Sequence, residues 1–283
     1  MNKKILKIAL VGKTNAGKST LINSFVGEQI SIINKKINTT QESILGIKTF
    51  NETQIIFYDT PGSNFLKTNN VLQKTLKTNL WQAIDSVNII VYMIDALKYK
   101  YEDILQDIEK IAEVKKPIFF IFNKIDLLEN KKILPFIDQL KNITLIKEFF
   151  LISAKNNIGI DPFVKFICKE AIESDWIYNN NEITNKDDIY ITNECTRNAI
   201  LEYLHQEIPY NISVINNNFK FLNNNQLKIK QIIQINNQRY KSIILGKKGS
   251  SIKKIRERSQ SEIEKILNCK VHLYLQVMVN DKK

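Results

Sequence analysis

The sequence predicts an α/β fold in which a mostly parallel sheet is covered by helices on both faces, followed by a smaller α+β domain. Three observations predict it. Through residue 172, apolar runs of strand length alternate with amphipathic segments of helix length. Strands that alternate with helices build a parallel sheet with helices on each side. The chain has 283 residues, which suits two domains at roughly 100–200 residues each. Charge divides the same way: the net +12 is made of +5 over residues 1–175, −4 over 176–219 and +11 over 220–283. A bias toward Ile, Asn and Lys codons would raise lysine everywhere. It does not concentrate charge at one end, so the last segment points to an anionic partner.

The elements follow from local pattern. Residues 5–11, 44–50, 54–59, 88–94, 117–122 and 148–152 read as strands. Helical patterns fill the gaps at 18–26, 71–83, 101–114, 131–140 and 160–172. Residues 173–188 are polar, contain Asn179-Asn180-Asn181 and read as a linker. The first domain is thus expected at 1–172 and the second at 189–283. In the second, 192–206 reads as a helix, 212–221 and 226–236 as strands, the stretch after Gly249 as a helix and 271–279 as a last strand. The runs 216–218 and 223–225, all Asn, are turn signals, the second between the two strands.

Composition excludes several classes. No stretch approaches the about 18 consecutive apolar residues of a membrane helix. The start, Met1 to Val11, is broken by Lys7 and runs into a phosphate-binding pattern rather than a cleavage site, so a signal peptide is not expected. Cys168, Cys195 and Cys269 stand far apart, with no CxxC pair, which argues against a disulfide framework and suits a reducing cytoplasm. His205 and His272 are isolated and read as structural or surface residues.

Gly12-Lys13-Thr14-Asn15-Ala16-Gly17-Lys18-Ser19, followed by Thr20, matches G-x-x-x-x-G-K-[ST] between a strand and a helix. Backbone N–H groups of such a loop wrap phosphates, and the helix presents its positive end to them. Lys18 is placed to reach the β- and γ-phosphates and Ser19 to ligate Mg2+. Asp59-Thr60-Pro61-Gly62 ends the third strand. Asp59 there can hold Mg2+ through water, and the Gly62 N–H can meet the γ-phosphate. Asn123-Lys124-Ile125-Asp126 follows the fifth strand. The Asp126 carboxylate can accept both the N1–H and the 2-amino group of guanine, which adenine does not offer, so the ligand is GTP or GDP. Ser153-Ala154-Lys155 lies where a loop would support the base. In Asn38-Thr39-Thr40-Gln41-Glu42, one of the two threonines, with Thr40 preferred, completes the Mg2+ shell and acts in catalysis with Lys18 and Gly62.

The second domain carries Gly246-Lys247-Lys248-Gly249 between apolar segments, with Lys253, Lys254, Arg256 and Arg258 on the stretch that follows. A GxxG loop of this kind lets backbone approach phosphates closely, and its lysines neutralise them. This is the KH device for clamping about four nucleotides of single-stranded nucleic acid.

The order and sequence of these motifs resemble the Era family of bacterial GTPases. The likeness extends to the second domain, at His205-Gln206-Glu207-Ile208-Pro209-Tyr210, at Glu262-Ile263-Glu264-Lys265-Ile266-Leu267 and at Val271-His272-Leu273. The resemblance implies a P-loop GTPase domain followed by a type II KH domain. It implies a monomer that binds the 3′ end of 16S ribosomal RNA, rather than DNA, during maturation of the 30S subunit. It also implies a cytoplasmic protein with peripheral contact at the inner membrane. It further implies that Asn15 helps to hold a K+ ion near the phosphates.

Two positions depart from the family. Ser63 stands where the family usually has an apolar residue and many other GTPases have Gln, and Gln41 stands where the family usually has Arg. Serine can hydrogen-bond a water but is short. Arg197, Arg239, Arg256 and Arg258 are the only arginines, all beyond residue 176, so the first domain has no arginine finger of its own. Slow turnover without a partner is therefore expected. The competing reading is an RNA chaperone with a vestigial nucleotide site, which intact Lys18, Ser19, Asp59 and Asp126 oppose.

Overall fold

The computed structural model describes residues 2–27, 44–63, 74–128, 134–141, 143, 145–204, 212–222 and 224–279. The chain forms two compact units, Met1–Asn185 and Lys186–Lys283.

In the first unit the order is β1 (Lys4–Val11), α1 (Lys18–Val26), β2 (Ile44–Phe50), β3 (Thr53–Asp59), α2 (Lys74–Asp85), β4 (Ile89–Asp95), α3 (Tyr101–Ala112), β5 (Ile118–Asn123), α4 (Leu134–Lys141), β6 (Ile146–Ile152), α5 (Ile160–Ile167) and β7 (Ile172–Glu173). The strands lie in the order β2-β3-β1-β4-β5-β6, with β7 beside β1. From β3 to β6 the neighbours are parallel, whereas β2 and β7 run antiparallel to β3 and β1. Side chains alternate across each strand. Leu6, Ile8 and Leu10 of β1 therefore join Leu21, Phe25 and Phe163 in a core on the side of α1 and α5. Ala9 and Val11 join Leu80, Ile104, Ile108 and Leu140 in a second core on the side of α2, α3 and α4. Full burial of each large apolar side chain contributes roughly 1.5–3 kcal/mol. The sheet is thus a rigid platform, and its parallel strands all end at one edge, where ligands of such sheets bind.

The segment expected as a linker belongs to this unit as far as Asn185. Gln54, fully buried, donates to the Tyr178 carbonyl at 2.8 Å and accepts from the Ile177 and Tyr178 N–H groups at 3.0 and 3.1 Å. Trp176 donates to the Glu52 carbonyl at 3.2 Å. The edge strand β2 is covered too: Ile47 N–H donates to the Ile183 carbonyl at 2.9 Å and Leu45 N–H to Asn185 Oδ1 at 3.1 Å. Unpaired groups on a sheet edge need such cover. These bonds use backbone and polar groups, so hydrophobic periodicity carries no trace of them.

The second unit runs α6 (Asp188–Tyr203), β8 (Ser213–Leu222), β9 (Gln226–Ile235), α7 (Gln238–Leu245), α8 (Ser250–Leu267) and β10 (Lys270–Val279). Its sheet has the order β10-β9-β8, antiparallel between β8 and β9 and parallel between β9 and β10. A parallel pair needs a crossover, which α7 and α8 supply. Leu227, Ile229, Ile233, Val271, Leu273 and Val277 face the helices and are buried. Two expectations are corrected. Residues 216–218 are not a turn but part of β8, where the register shifts between Asn216 and Asn218, so the extra residue makes a bulge. Helix α7 was not expected. It is eight residues long and begins with Asn237, whose side chain accepts from Arg239 N–H at 2.9 Å.

Replacing Gln54 by Ala leaves three backbone groups of the 177–178 stretch without partners. At about 1–3 kcal/mol for a buried unsatisfied group, Gln54→Ala should destabilise the first unit by roughly 2–4 kcal/mol. Urea denaturation checks the magnitude, and faster amide exchange at Ile177 and Tyr178 checks the cause.

Candidate functional site

The phosphate loop owes its shape to glycine. Gly12 has φ 153° and lies so close to β4 that a Cβ would stand 2.1 Å from the Met93 carbonyl oxygen. Gly17, at φ 105°, would place a Cβ 2.1 Å from Asn123 Nδ2. A side chain at Gly12 would force the backbone to move, and one at Gly17 would displace the Asn123 amide on a backbone that L residues rarely adopt. Lys18, at the start of α1, is buried, and its ammonium donates to the carbonyls of Gly12 at 2.8 Å and Lys13 at 3.1 Å. It thus spans the mouth of the loop. Burial pulls its pKa down from 10.5 to about 8, against the opposing pull of the Asp59 carboxylate.

Ser19 Oγ donates to Asp59 Oδ2 at 2.7 Å. A hydroxyl and a carboxylate side by side are the hard oxygen donors that suit Mg2+. The loop after β3 is pinned on the phosphate loop. Thr60 Oγ1 donates to the Leu10 carbonyl, and Ser63 N–H donates to the Gly12 carbonyl at 2.9 Å. A Cβ on Gly62 would stand 2.6 Å from Thr14 Cγ2.

Ser63 does not face this cradle with its hydroxyl. The hydroxyl is buried and donates to Asp107 Oδ2 at 2.7 Å, and Tyr92 OH donates to the same oxygen at 2.8 Å. Burial, then the Asp107 charge, push the Tyr92 pKa far above its ordinary 10, so the phenol stays a donor. The serine, which could have met a water, instead ties the loop after β3 to α3. The sequence did hold a signal for Asp107. It lies on the buried stripe of α3 beside Ile104, Ile108 and Ile111, where a carboxylate needs donors.

The loops after β5 and β6 meet the phosphate loop through Asn123. Its amide donates to the Ala16 carbonyl at 2.8 Å and accepts from Ala154 N–H at 2.9 Å. Lys124 donates to the Asn15 carbonyl at 3.0 Å and pairs with Asp95 at the end of β4. Lys13 pairs with Asp103 on α3. Asp126 and Lys155 are exposed, and Ser153 is buried. A cavity of about 500 Å³ follows this rim, lined by Lys13, Asn15, Asp95, Tyr99 and Lys124 among others. The structure therefore brings together residues 12–20, 59–62, 123–126 and 153–155. Thr39 and Thr40, like His205 to Tyr210, lie outside the described residues.

In the second unit, Gly246 (φ 69°), Lys248 (φ 53°) and Gly249 (φ 78°) turn the chain between α7 and α8. A Cβ on Gly246 would meet Ser251 Oγ at 2.2 Å. Lys247, Lys248, Lys253 and Lys254 are exposed. Arg256 donates to Gln260 at 3.1 Å. Arg258 is engaged elsewhere: it bonds Glu202 of α6 and Glu262 of α8, both at 3.2 Å, and so clasps the two helices.

Residues 7–124 match the family model for 50S ribosome-binding GTPases, and residues 207–283 match that for KH domains. A GTPase Era of Ehrlichia ruminantium is 33% identical over 273 residues, covering 96% of this chain and 92% of its own length. One of Rickettsia bellii is 35% identical, covering 98% and 93%. A crystal structure of Era with MgGDPNP and nucleotides 1506–1542 of 16S ribosomal RNA superposes with a TM-score of 0.89 at 35% identity, covering 99% and 95%. A variant of Aquifex aeolicus Era bound to GDP and AlF4− gives 0.90 at 34% identity, covering 100% and 95%.

Two expected outcomes follow from the geometry. Phosphate binding needs a protonated Lys18, and protons leave it as pH rises through about 8. GDP affinity should fall about tenfold from pH 7 to pH 9 by linkage, and this dependence should vanish in Lys18→Ala, as read by titration calorimetry. Ser63→Ala removes one of the donors to a buried carboxylate and should lower unfolding free energy by about 1–3 kcal/mol. A Ser63 that orients water would instead slow single-turnover hydrolysis with stability unchanged.

Proposed function

The chain belongs to the Era family of GTPases, and from that premise we propose a GTP-driven switch that binds the 3′-end region of 16S ribosomal RNA and assists 30S subunit maturation. It is a GTPase with a KH domain. Residues 1–185 carry the GTPase function in this reading and residues 186–283 the RNA function. The single observation behind the nucleotide half is the convergence of the phosphate loop, the Asp59 loop and Asn123 on one sheet edge. The RNA half rests on the Gly246 to Gly249 turn with its exposed lysines, and on the relative that binds nucleotides of 16S ribosomal RNA.

In this reading Lys18 neutralises the β- and γ-phosphates, and backbone N–H groups from Lys13 to Ser19 wrap them. Ser19, Asp59 and Thr40 would hold Mg2+, which would neutralise phosphate charge. The N–H of Gly62 reports the γ-phosphate to the loop that starts at Ser63. Asp126 selects guanine, Asn123 and Lys124 frame the base, and Ser153 to Lys155 support it. Asn15 would help to hold K+, which would supply positive charge where an arginine finger is missing. Gly246, Lys247, Lys248, Gly249, Lys253, Lys254 and Arg256 meet RNA. The protein acts as a monomer in the cytoplasm, with peripheral contact at the inner membrane.

Phosphate release measured with and without 30S subunits tests the reading. Stimulation of roughly 100- to 1,000-fold is expected, the scale of one added transition-state donor. Lys247→Glu with Lys248→Glu should abolish the stimulation and spare the basal rate. No stimulation and no RNA binding would sink the proposal. Equal rates in Na+ and K+ at matched ionic strength would remove the K+ role alone.

A further inference from the structure

The three strands of the second unit, ten residues each, contain no Asp or Glu. The alternation that buries Leu227, Ile229 and Ile233 toward the helices turns Lys228 and Lys230 to the opposite face. Register then places their neighbours. Lys220 pairs with Lys228, and Tyr274 with Lys230; Lys270 pairs with Gln226 at the adjoining position of β9. Paired residues share a face, so four lysines and a tyrosine occupy the side of the sheet turned away from α6, α7 and α8. Lys220, Lys230, Lys270 and Tyr274 are exposed, Tyr274 at 53%. The Lys228 ammonium lies 5.7 Å from the Tyr274 ring centroid, a cation–π contact that holds the ring among the lysines.

Lysine directly opposite lysine is unfavourable within a sheet. On these strands no carboxylate relieves it, whereas Glu202, Glu257 and Glu262 lie on the helices. An anion from outside would relieve it. The geometry points to a second single-stranded RNA surface on the open face of this sheet, separate from the Gly246 to Gly249 loop. Lys220, Lys228, Lys230 and Lys270 neutralise the phosphodiester backbone, and a base stacks on Tyr274. Basic surfaces with an exposed aromatic ring bind single strands in this way, without demanding a sequence. A strand clamped for about four nucleotides at the GxxG loop would continue across this face. The inference rests on the reading of this unit as an RNA binder, but the two surfaces are separable by mutation.

The test is anisotropy of the full chain with labelled degenerate RNAs of six and of twenty nucleotides, across a salt series. In the wild type the longer RNA should bind at least about tenfold tighter. Replacing the four lysines by Gln should remove this gain and leave the six-nucleotide affinity within twofold. It should also flatten the plot of log affinity against log salt for the longer RNA by about 3, at 0.7 per phosphate contact. Tyr274→Ala, with all lysines kept, should lower only the longer RNA's affinity, without flattening the slope. Thermal melts confirm that the variants fold. The reverse variant, Lys247→Glu with Lys248→Glu, should weaken both RNAs and retain the slope difference; loss of neither affinity would count against the GxxG reading and not against the sheet. Equal affinity of wild type and both sheet variants for the longer RNA overturns the inference, as does failure of the wild type to bind it. So does loss of sedimentation with phosphatidylglycerol vesicles in the Gln variant while RNA affinity holds, which would assign the face to lipid.

Discussion

Asn123 joins segments that are far apart in the chain, and the nucleotide site depends on the contacts it makes. Its side chain is 2% exposed and bridges the carbonyl of Ala16 and the N–H of Ala154. The last residue of β5 therefore sets the distance between the phosphate loop and the loop after β6. The same amide lies where a Cβ on Gly17 would go, so a requirement for glycine in one motif is imposed by the residue type in another. Nothing in Asn123 needs to touch a ligand for this to matter. The spacing between these two loops is fixed as well by the parallel sheet beneath, which holds each strand end in register.

A second constraint acts on the segment that leaves β3. The segment leaving β3 is held by Ser63 N–H on the Gly12 carbonyl and by the Ser63 hydroxyl on Asp107. A buried carboxylate that accepts two hydroxyl protons is costly to leave half-satisfied. The segment from Thr60 to Ser63 is thus held against the phosphate loop and α3. The substitution that looked in sequence like a weakened water-positioning residue is better understood as a mechanical anchor. With no arginine before residue 197, the first unit has no guanidinium of its own to meet transition-state charge.

Much of this was legible in the sequence. The six main strands of the first unit announce themselves because both faces are covered, which makes them continuous apolar runs such as Ile89–Asp95 and Ile118–Asn123. The phosphate loop and its partners were legible because their chemistry restricts residue type at fixed spacing. The cover of β2 by Ile183 and Asn185 was not, since backbone bonds leave no side-chain pattern. Helix α7 is short and begins with Gln238, Arg239, Tyr240 and Lys241, so its apolar face is only Ile243, Ile244 and Leu245. Arg258 was counted with the RNA-facing charges because charge alone does not distinguish a solvated cation from a clasp. Its partner Glu202 is 56 residues away.

Arg258 also shows how the second unit sorts its charge. Among the described residues its carboxylates lie outside the sheet strands; Glu202 of α6 holds α8 through Arg258, whose second partner, Glu262, is on α8 itself. Its sheet strands carry lysines alone. Had acidic residues been scattered over both layers, the unit would show alternating small fields that decay within a Debye length of about 8 Å at physiological salt. Segregation instead leaves one face whose potential adds up. The β8–β9 hairpin is the element that makes this work. Its antiparallel register sets Lys220 beside Lys228, and the bulge between Asn216 and Asn218 keeps that pairing in step with the inward side chains at the other end of the strand. The bulge that sequence presented as a turn is thus what allows one strand to serve a buried core at Val214 and a basic surface at Lys220.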